Sequence, residues 1–505
     1  MWCESMTSMT ETELKFQVPT EGAAALRAAV HAGSDAANTT RLQAAYFDTH
    51  DRALAAAGVA LRLRREDAGW VQTVKAGTGD ALVRLEHNAV RDDEAGDDVP
   101  SLELSLHTGT KPGKQLARAL GKRSVDALVC QYRTDIVRTW RRSTVDGSLV
   151  ELAFDEGTIV AGDAHTAVCE LEFELLDGSP AVLLEVARTW VVQHRLWLET
   201  RSKAARGGLL ADGSLVAPAR SAARTELHPT MPVDDGRRAI RAECLQQISA
   251  NASQVASGQF DDEHVHQLRV GLRRLRTALR LLPSRDDDDL AAGAAELFRA
   301  LGASRNNAAI AGPLGARLAG AMARADLGYD VPTIAFDDTI DPCTAVRAPA
   351  SQAFLLDLIA GTLPTMDTGK QRSAAAQITR RLNRWHRSVV GDMAGFATLD
   401  DASRHRLRKR CKRLRYGVEF GRTLVGRKRA SRHLATLEPV QHDLGEYNDI
   451  SAAIDLLRGG ESSDLGVAFA LGWLERQREV VAQECAASIA RFLTAAGSTE
   501  WVAIR

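Results

Sequence analysis

Charged and apolar residues alternate along several short segments in the first half of the chain. The segments Glu11–Lys15 (ETELK) and Glu170–Glu174 (ELEFE) both place their charges at every second position. Because successive side chains of a β-strand point to opposite faces, the charges of each segment would share one face of a sheet. Other segments of this kind, including one that carries Glu151, supply Arg62, Arg64, Lys75, Arg84, Glu86 and Asp155.

The sign of these charges favours a closed barrel over an open sheet. Alternation most often indicates an antiparallel sheet with one face in water. Here, however, whole segments are basic and others are acidic. In a barrel the charged face would become the interior, which requires a highly charged ligand and metal ions. Basic strands suit phosphate oxygens, and acidic strands suit hard cations such as Mg²⁺ or Mn²⁺.

The same residues resemble the motifs of the CYTH domain, the triphosphate tunnel metalloenzyme family. Glu11, Glu13 and Lys15 match its Glu-x-Glu-x-Lys signature, and SKAARG near residue 203 matches its closing motif. The resemblance implies an eight-stranded antiparallel tunnel with covering helices, and three sets of site residues. Catalysis would involve Glu11, Glu13, Lys15, Glu170 and Glu172; substrate binding Lys15, Arg62, Arg64, Lys75, Arg84, Arg138 and Lys203; and metal binding Glu11, Glu13, Glu86, Asp155, Glu170 and Glu172.

That family includes inorganic triphosphatases, thiamine triphosphatases and a class of adenylate cyclases. The expectation from the resemblance is metal-dependent hydrolysis of inorganic triphosphate to pyrophosphate and phosphate, with Mg²⁺ or Mn²⁺ as cofactor. Two alternatives stay open at this point. One is a non-catalytic adaptor that only holds polyphosphate, and the other is an enzyme that uses a nucleotide or thiamine triphosphate.

Two basic stripes with the same helical spacing lie in the second half of the chain. The first begins at His266 and the second at His405, and each has an apolar stripe beside it. A Leu-Gly pair follows each stripe at nearly the same distance, at Leu301 and Leu444, which indicates an internal duplication. The first basic stripe consists of His266, Arg269, Arg273 and Arg276, and the second consists of His405, Arg408, Lys412 and Arg415.

The density of positive charge predicts an anionic partner for these stripes. Either stripe alone could be a solvated helix face, but eight of the twelve residues from Arg404 to Arg415 are Lys or Arg. Only 5% of the chain is aromatic, and the stripes offer no rings for stacking bases, so inorganic polyphosphate is favoured over nucleic acid. These segments, with DLGEYNDI after the second stripe, resemble a CHAD domain. That resemblance implies two related helical bundles whose basic residues line a groove and bind polyphosphate.

Length and composition place both patterns in a multidomain α+β protein. The 505 residues are 26% charged and 45% hydrophobic, and 64 Lys and Arg oppose 65 Asp and Glu. We predict a tunnel domain over 10–212, a linker over 213–233 and an all-α domain over 234–500, with repeats at 234–345 and 346–500. CYTH joined to CHAD resembles bacterial inorganic triphosphatases. Seven scattered cysteines and the lack of a leader or membrane segment predict a cytoplasmic protein, with polyphosphate granules as a candidate location.

Overall fold

The structure is a computed structural model that separates into two compact units. It describes residues 9–32, 36–66, 69–77, 83–91, 99–285, 287–302, 312–326, 328–334, 340–364, 372–459 and 465–503. The first unit contains the chain up to Ala219 together with Ser249–Asp261 and Arg347–Leu363. The second contains Arg220–Ile248, Asp262–Val346 and Pro364–Arg505. Across the described ranges, we find no helix with the length and apolar character needed to cross a membrane.

The first unit is built around a closed antiparallel barrel. Its strands are β1 (Met9–Gln17), β2 (Asn38–Thr49), β3 (Val59–Glu66), β4 (Gly69–Gly77), β5 (Val83–Arg91), β6 (Leu128–Val145), β7 (Ser148–Ala161) and β8 (Ala164–Asp177). They pair in the order β5-β4-β3-β2-β6-β7-β8-β1, and β1 also pairs with β5. That last pairing closes the sheet and removes its edges. The predicted eight-stranded tunnel is therefore confirmed, with a two-residue ninth strand, β9 (Trp197–Leu198), added beside β1.

Alternation along the strands separates a charged interior from an apolar exterior. On β3, Leu61 and Leu63 are 1% and 0% exposed and face outwards, whereas Arg62 and Arg64 line the interior cavity. The outer apolar side chains pack beneath helices; Leu61 and Val74, for example, share a core cluster with residues of the third helix. The helices of this part are α1 (Ala23–His31), α2 (Ala53–Ala56), α3 (Lys111–Leu120), α4 (Pro180–His194) and α5 (Lys203–Ala211).

The remaining described elements are helices, as predicted for the second half. They are α6 (Val233–Ala256), α7 (Asp262–Leu281), α8 (Asp287–Ala300), α9 (Gly312–Arg324), α10 (Pro342–Arg347), α11 (Pro349–Ala360), α12 (Ala374–Ala394), α13 (Asp401–Phe420), α14 (Arg427–Gly459) and α15 (Leu465–Ala496). Most of them form the second unit. The end of α6, from Ser249, and the whole of α11 instead belong to the compact unit of the barrel.

Candidate functional site

The barrel encloses a cavity of about 720 Å³ that is lined by charged side chains of both signs. Glu11 lies opposite Arg84 in the strand register, and its side chain is outside the described part of the chain. Glu170 is fully buried and does not line the cavity. The other predicted tunnel residues do line it, namely Glu13, Lys15, Arg62, Arg64, Lys75, Arg84, Glu86, Arg138, Asp155, Glu172 and Lys203.

Strands β3, β4 and β5 form the basic wall of the cavity. Lys75 Nζ lies 2.9 Å from Glu86 Oε2, and Arg84 Nη1 lies 2.9 Å from Glu13 Oε1. The pKa of Arg64 is lowered by burial first and then by the neighbouring Arg62 and Arg138. Four cavity-lining cations, Arg62, Arg64, Lys75 and Arg84, contact three carboxylates, Glu13, Glu66 and Glu86, so positive charge is in excess here, which favours an anion.

A carboxylate triad of Asp155, Glu170 and Glu172 lies on β7 and β8. One oxygen from each lies within 4.8 Å of the others, a spacing that a metal ion could use. Lys203 Nζ already occupies this position, 2.6 Å from Asp155 Oδ2 and 2.8 Å from Glu172 Oε1, and it also contacts Glu170. Arg138 adds a two-pronged contact to Asp155, with both distances 2.7 Å.

The charges of Lys203, Arg138 and Glu172 stabilise one another's ionised forms. Burial opposes ionisation of Lys203 and Arg138, but the surrounding carboxylates raise both pKa values well above their ordinary range. Burial likewise opposes ionisation of Glu172, yet Lys203, Arg138 and Lys15 bring its pKa well below the usual value. With Arg206 Nη1 3.2 Å from Glu170 Oε2, three cations balance the three carboxylates.

An acidic row of Glu13, Glu174 and Glu151 crosses β1, β8 and β7. Glu174 is the direct cross-strand neighbour of both other members, so three like charges stand side by side. Burial, followed by the charge of Glu151, raises the pKa of Glu174 to about 7. Arg84 contacts Glu13, and Arg142 Nε lies 3.0 Å from Glu151 Oε2. These ion pairs therefore involve the two outer glutamates of the row.

The two acidic groups differ in how well they fit a divalent cation. In the triad, a metal would compete with the ammonium of Lys203 for the same oxygens. In the acidic row, a cation would relieve the repulsion that favours the neutral form of Glu174. Carboxylate oxygens are ligands that Mg²⁺ and Mn²⁺ accept. Among the described residues, the triad alone has ligand atoms close enough together for one metal ion, whereas the row has the greater electrostatic need of a further cation.

Helix α5 carries Lys203 and is fixed against β6 by close packing. Ser202 caps the helix by accepting a hydrogen bond from the amide of Ala205 at 3.1 Å, which places Lys203 at the first helical position. Tyr132 donates its hydroxyl to Ala204 O at 2.9 Å. A Cβ at Gly207 would lie 2.3 Å from the Tyr132 ring, so the helix approaches this ring where only glycine fits.

Sequence reasoning left several cavity residues out of the predicted site. Glu151 and Glu174 line the cavity; the resemblance counts Glu151 among the expected acidic residues, but it gives neither residue a catalytic, substrate-binding or metal-binding role. The alternation of charges already pointed to Glu174, whereas the cross-strand register that joins it to Glu13 is visible only in the fold. Other lining residues lacked a charge pattern, among them Tyr46, Thr73, Asn88 and Arg201.

The two basic stripes occupy equivalent helices of the second unit. Arg269, on α7, stacks its guanidinium 4.2 Å from the ring centre of Phe298 on α8 and donates to the Phe298 carbonyl at 3.1 Å. Arg408, on α13, lies 3.7 Å from Asp449 on α14. A Cβ at Gly302 would lie 3.4 Å from Arg269, and one at Gly445 would lie 4.0 Å from Arg408. The Leu-Gly pairs thus face matching arginines in the two repeats.

Two further residues of the second stripe contact α14. His405 hydrogen-bonds with Asn448, and Arg415 donates from Nη1 to Gln441 Oε1 at 3.3 Å and from Nε to Glu419 of its own helix at 2.8 Å. Burial, and then the charges of Arg280 and Arg299, lower the pKa of Arg276, so three arginines lie close together at this end of the first stripe. Arg273 lies 5.6 Å from the Phe298 ring, and His266 and Lys412 are half-buried. The Arg305-Asn306 pair that follows the first Leu-Gly is outside the described residues.

Family models and relatives agree with the two resemblances. The CYTH domain matches residues 9–207, and the CHAD domain matches residues 239–458. An inorganic triphosphatase from Haemophilus influenzae is 30% identical over 170 residues. That alignment covers 33% of this chain and 44% of the relative, so this chain spans less than half of the relative's length.

Two solved structures have similarity to one half of the chain each. The CHAD domain of the plant Ricinus communis is 25% identical, with a TM-score of 0.45, and the match covers 56% of this chain and 99% of that one. A Hippeastrum protein described as an adenylyl cyclase candidate with a dominant triphosphatase activity is 24% identical, with a TM-score of 0.32. That match covers 41% of this chain and 98% of the Hippeastrum protein. From the two family matches, the chain consists of a CYTH domain followed by a CHAD domain.

Proposed function

We propose that this chain hydrolyses inorganic triphosphate to pyrophosphate and phosphate with the help of Mg²⁺ or Mn²⁺. The observation that carries the proposal is one closed cavity with a basic wall facing acidic strands. A linear triphosphate needs cations along its oxygens and a metal at its charged end. The relation to an inorganic triphosphatase at 30% identity supports the same activity.

The residues of the cavity divide the work of the proposed reaction. Lys75, Arg62 and Arg84 would bind the phosphate oxygens of triphosphate and orient the triphosphate for in-line attack by water. Glu13 and Glu174 of the acidic row would hold the metal, with Glu11 two residues before Glu13 on β1 and Glu86 on the neighbouring strand β5. When bound, the metal supplies charge neutralisation and polarises the phosphate oxygens. A carboxylate near neutral pKa, as at Glu174, is also suited to accept a proton when no metal holds it.

The triad has a separate role in this proposal. Its three carboxylates position Lys203 and Arg138 at the cavity surface, so that these two cations face the substrate without rotating freely. Such preorganised charge stabilises a developing anion more than a mobile side chain does. Lys203 and Arg138 would therefore contribute to the rate as well as to binding.

Phosphate release from tripolyphosphate, ATP and thiamine triphosphate tests this proposal and its rivals. We expect turnover of tripolyphosphate with Mg²⁺ or Mn²⁺ and its loss in excess chelator. Arg62→Ala should raise KM for tripolyphosphate at least tenfold, because one charge-assisted contact of about 1.5–3 kcal/mol is lost. Arg41→Ala removes an arginine from the exposed Arg41–Asp135 pair and should leave KM unchanged. A preference for ATP or thiamine triphosphate would favour the organic-substrate alternative, and no turnover would favour the adaptor.

For the helical unit, the proposed partner is inorganic polyphosphate. Two equivalent rows of arginines, with one end strongly positive at Arg276, support an extended polyanion without bases. The affinity of the full chain for long polyphosphate should fall steeply with salt, because bound counterions are released. Reversing Arg408, Lys412 and Arg415 to Glu should remove most of this binding while tripolyphosphate hydrolysis continues. Equal competition by nucleic acid of matched phosphate number would contradict the choice of partner.

A further inference from the structure

The buried carboxylate of Glu199 follows β9 and lies directly behind the cavity. It is 4% exposed, and its backbone amide donates to the carbonyl of Lys15 at 2.9 Å. Gln17 Nε2 bridges from Glu199 Oε2, at 3.4 Å, to Glu170 Oε2, at 3.3 Å. Glu199 therefore connects with both Lys15 and the carboxylate triad, although it does not line the cavity.

Glu199 also holds the segment that leads into α5. Arg201 donates its backbone amide to Glu199 Oε1 at 2.8 Å and its Nη2 to Oε2 at 2.7 Å. Arg201 lines the cavity, and Lys203 follows two residues later at the start of α5. The direction in which this turn presents its cations is thus set by a carboxylate outside the cavity.

Two residues at the end of α6 complete the environment of Glu199. Ser253 is 2% exposed; its hydroxyl donates to Glu199 Oε1 at 2.6 Å and accepts from the amide of Thr200 at 3.1 Å. Gln254 Oε1 accepts from Arg201 Nη1 at 3.0 Å and from the amide of Ala217 at 3.2 Å. Both belong to the same compact unit as the barrel, although the family match for the helical domain begins at residue 239.

We propose that Ser253 and Gln254 are positioning residues of the triphosphate site, which act through Glu199 and Arg201 on Lys15 and Lys203. A hydrogen bond to a buried carboxylate is worth more than one to a neutral group, and without it the Glu199 carboxylate would be held by Arg201 and Gln17 but no longer from the side of α6. The cations of the cavity would then lose their fixed geometry. Tripolyphosphate would bind more weakly, while the stability of the barrel would change less. This inference rests on the proposed triphosphatase function and extends it to residues of the helical sequence.

The experiment compares Ser253→Ala with Ser253→Thr and Ser249→Ala in the full chain. Ser249 lies one turn earlier on α6 and is similarly buried, and none of the described hydrogen bonds to Glu199 comes from it. Ser253→Ala should raise KM for tripolyphosphate about tenfold with a smaller change in kcat, and Ser253→Thr, which keeps the hydroxyl, should restore it. Ser249→Ala should match the wild type. Gln254→Ala should also raise KM, by severalfold.

The dissociation constant of tripolyphosphate, measured by calorimetry on the same variants, separates this inference from the proposed function. If the wild type does not turn over any triphosphate, the proposed function fails, while the weaker binding expected for Ser253→Ala still tests the positioning role. Equal KM and equal dissociation constants in the wild type and Ser253→Ala would overturn the inference. So would an equal loss in Ser253→Thr, or in Ser249→Ala, since either would indicate a general packing effect.

Discussion

The carboxylate triad and the acidic row both include glutamates of strand β8, yet the pKa values of these glutamates shift in opposite directions. In the triad, Lys203 contacts all three carboxylates, and the pKa of Glu172 is well below its ordinary value. In the row, Glu174 stands between two other carboxylates, and its pKa rises to about 7. Glu172 and Glu174 are only two residues apart. What separates them is the set of neighbours that the fold supplies, not their residue type.

The difference teaches which acidic group is complete and which needs a further cation. A buried ion pair is costly to break, because the remaining charge has no water and no partner. In the triad, Lys203 of α5 and Arg138 of β6 form ion pairs with the carboxylates, so their negative charge is already balanced. The row is open, because its central carboxylate has like charges on both sides. We therefore propose the row as the metal site, with Lys203 as the cation that the triad already binds.

Removing Lys203 should have the largest effect on stability. Lys203→Met would leave three buried carboxylates with two arginines, at a cost of about 3–5 kcal/mol in the free energy of unfolding. Denaturant unfolding of the full chain measures this loss. Lys122→Met, on the exposed surface, is the control and should change little. Adding Asp155→Asn to Lys203→Met should restore part of the stability; no restoration would contradict the charge-balance argument.

Metal binding should distinguish Glu174 from Glu170, two glutamates on the same strand. Mg²⁺ or Mn²⁺ should raise the melting temperature of the wild type, because a ligand that binds only the folded state stabilises it. Glu174→Gln should remove most of this rise, because it replaces a charged oxygen ligand by a neutral amide. Glu170→Gln should lower the starting melting temperature but keep the metal-induced rise. The reverse pattern would move the metal to the triad.

The glycines of α5 test whether this helix closes the triad. A Cβ at Gly207 would lie 2.3 Å from the Tyr132 ring, whereas nothing lies within 4 Å of one at Gly208. Gly207→Ala should therefore shift the helix, at a cost of about 1–3 kcal/mol, and raise KM for tripolyphosphate. Gly208→Ala is the matched control and should stabilise the helix by up to about 1 kcal/mol. Similar results for both would mean that α5 does not position Lys203.

Much of the barrel could be predicted from the alternation of residues such as Leu61 and Arg62. A period of two decides which side chains share a face, and the sign of whole strands then indicates a closed charged interior. The pattern could not show that Glu174 stands opposite Glu13, because register is a property of paired strands. It also could not show that Ser253, far along the chain, reaches Glu199.

In the helical unit, the duplication was visible because both stripes keep one spacing. Helical spacing places Arg269 and Arg408 on corresponding faces before any contact is known. The spacing did not reveal that Arg269 would stack on Phe298 while Arg408 would approach Asp449. These partners come from helices that pack beside the stripes. The sequence pattern therefore predicts which residues share a helix face, whereas the packing of neighbouring helices determines which residues contact that face.

The buried side chain of His433 is a second group for which burial favours the neutral form. His433 on α14 is 3% exposed, and neither ring nitrogen has a hydrogen-bond partner within the described part of the chain. Its ring packs against His386, Phe492 and Trp501. Burial, followed by the charges of His386 and Arg429, lowers the pKa of His433 to about 3. In Glu174 and His433 alike, burial is the first cause that favours the neutral form.

Acid should therefore lower the free energy of unfolding through His433, and this is the smallest effect among the four predictions of this Discussion. The unfolded chain takes up a proton near pH 6.5, whereas folded His433 does so only near its lowered pKa, so stability is full above pH 6.5 and falls below it. Between pH 7.5 and 5.5 the loss from this residue should be about 1 kcal/mol. His433→Phe should reduce the pH dependence of unfolding by that amount, whereas His442→Phe, exposed on the same helix, should not. Identical pH profiles for His433→Phe and the wild type would mean that His433 finds a partner for its proton in the folded state.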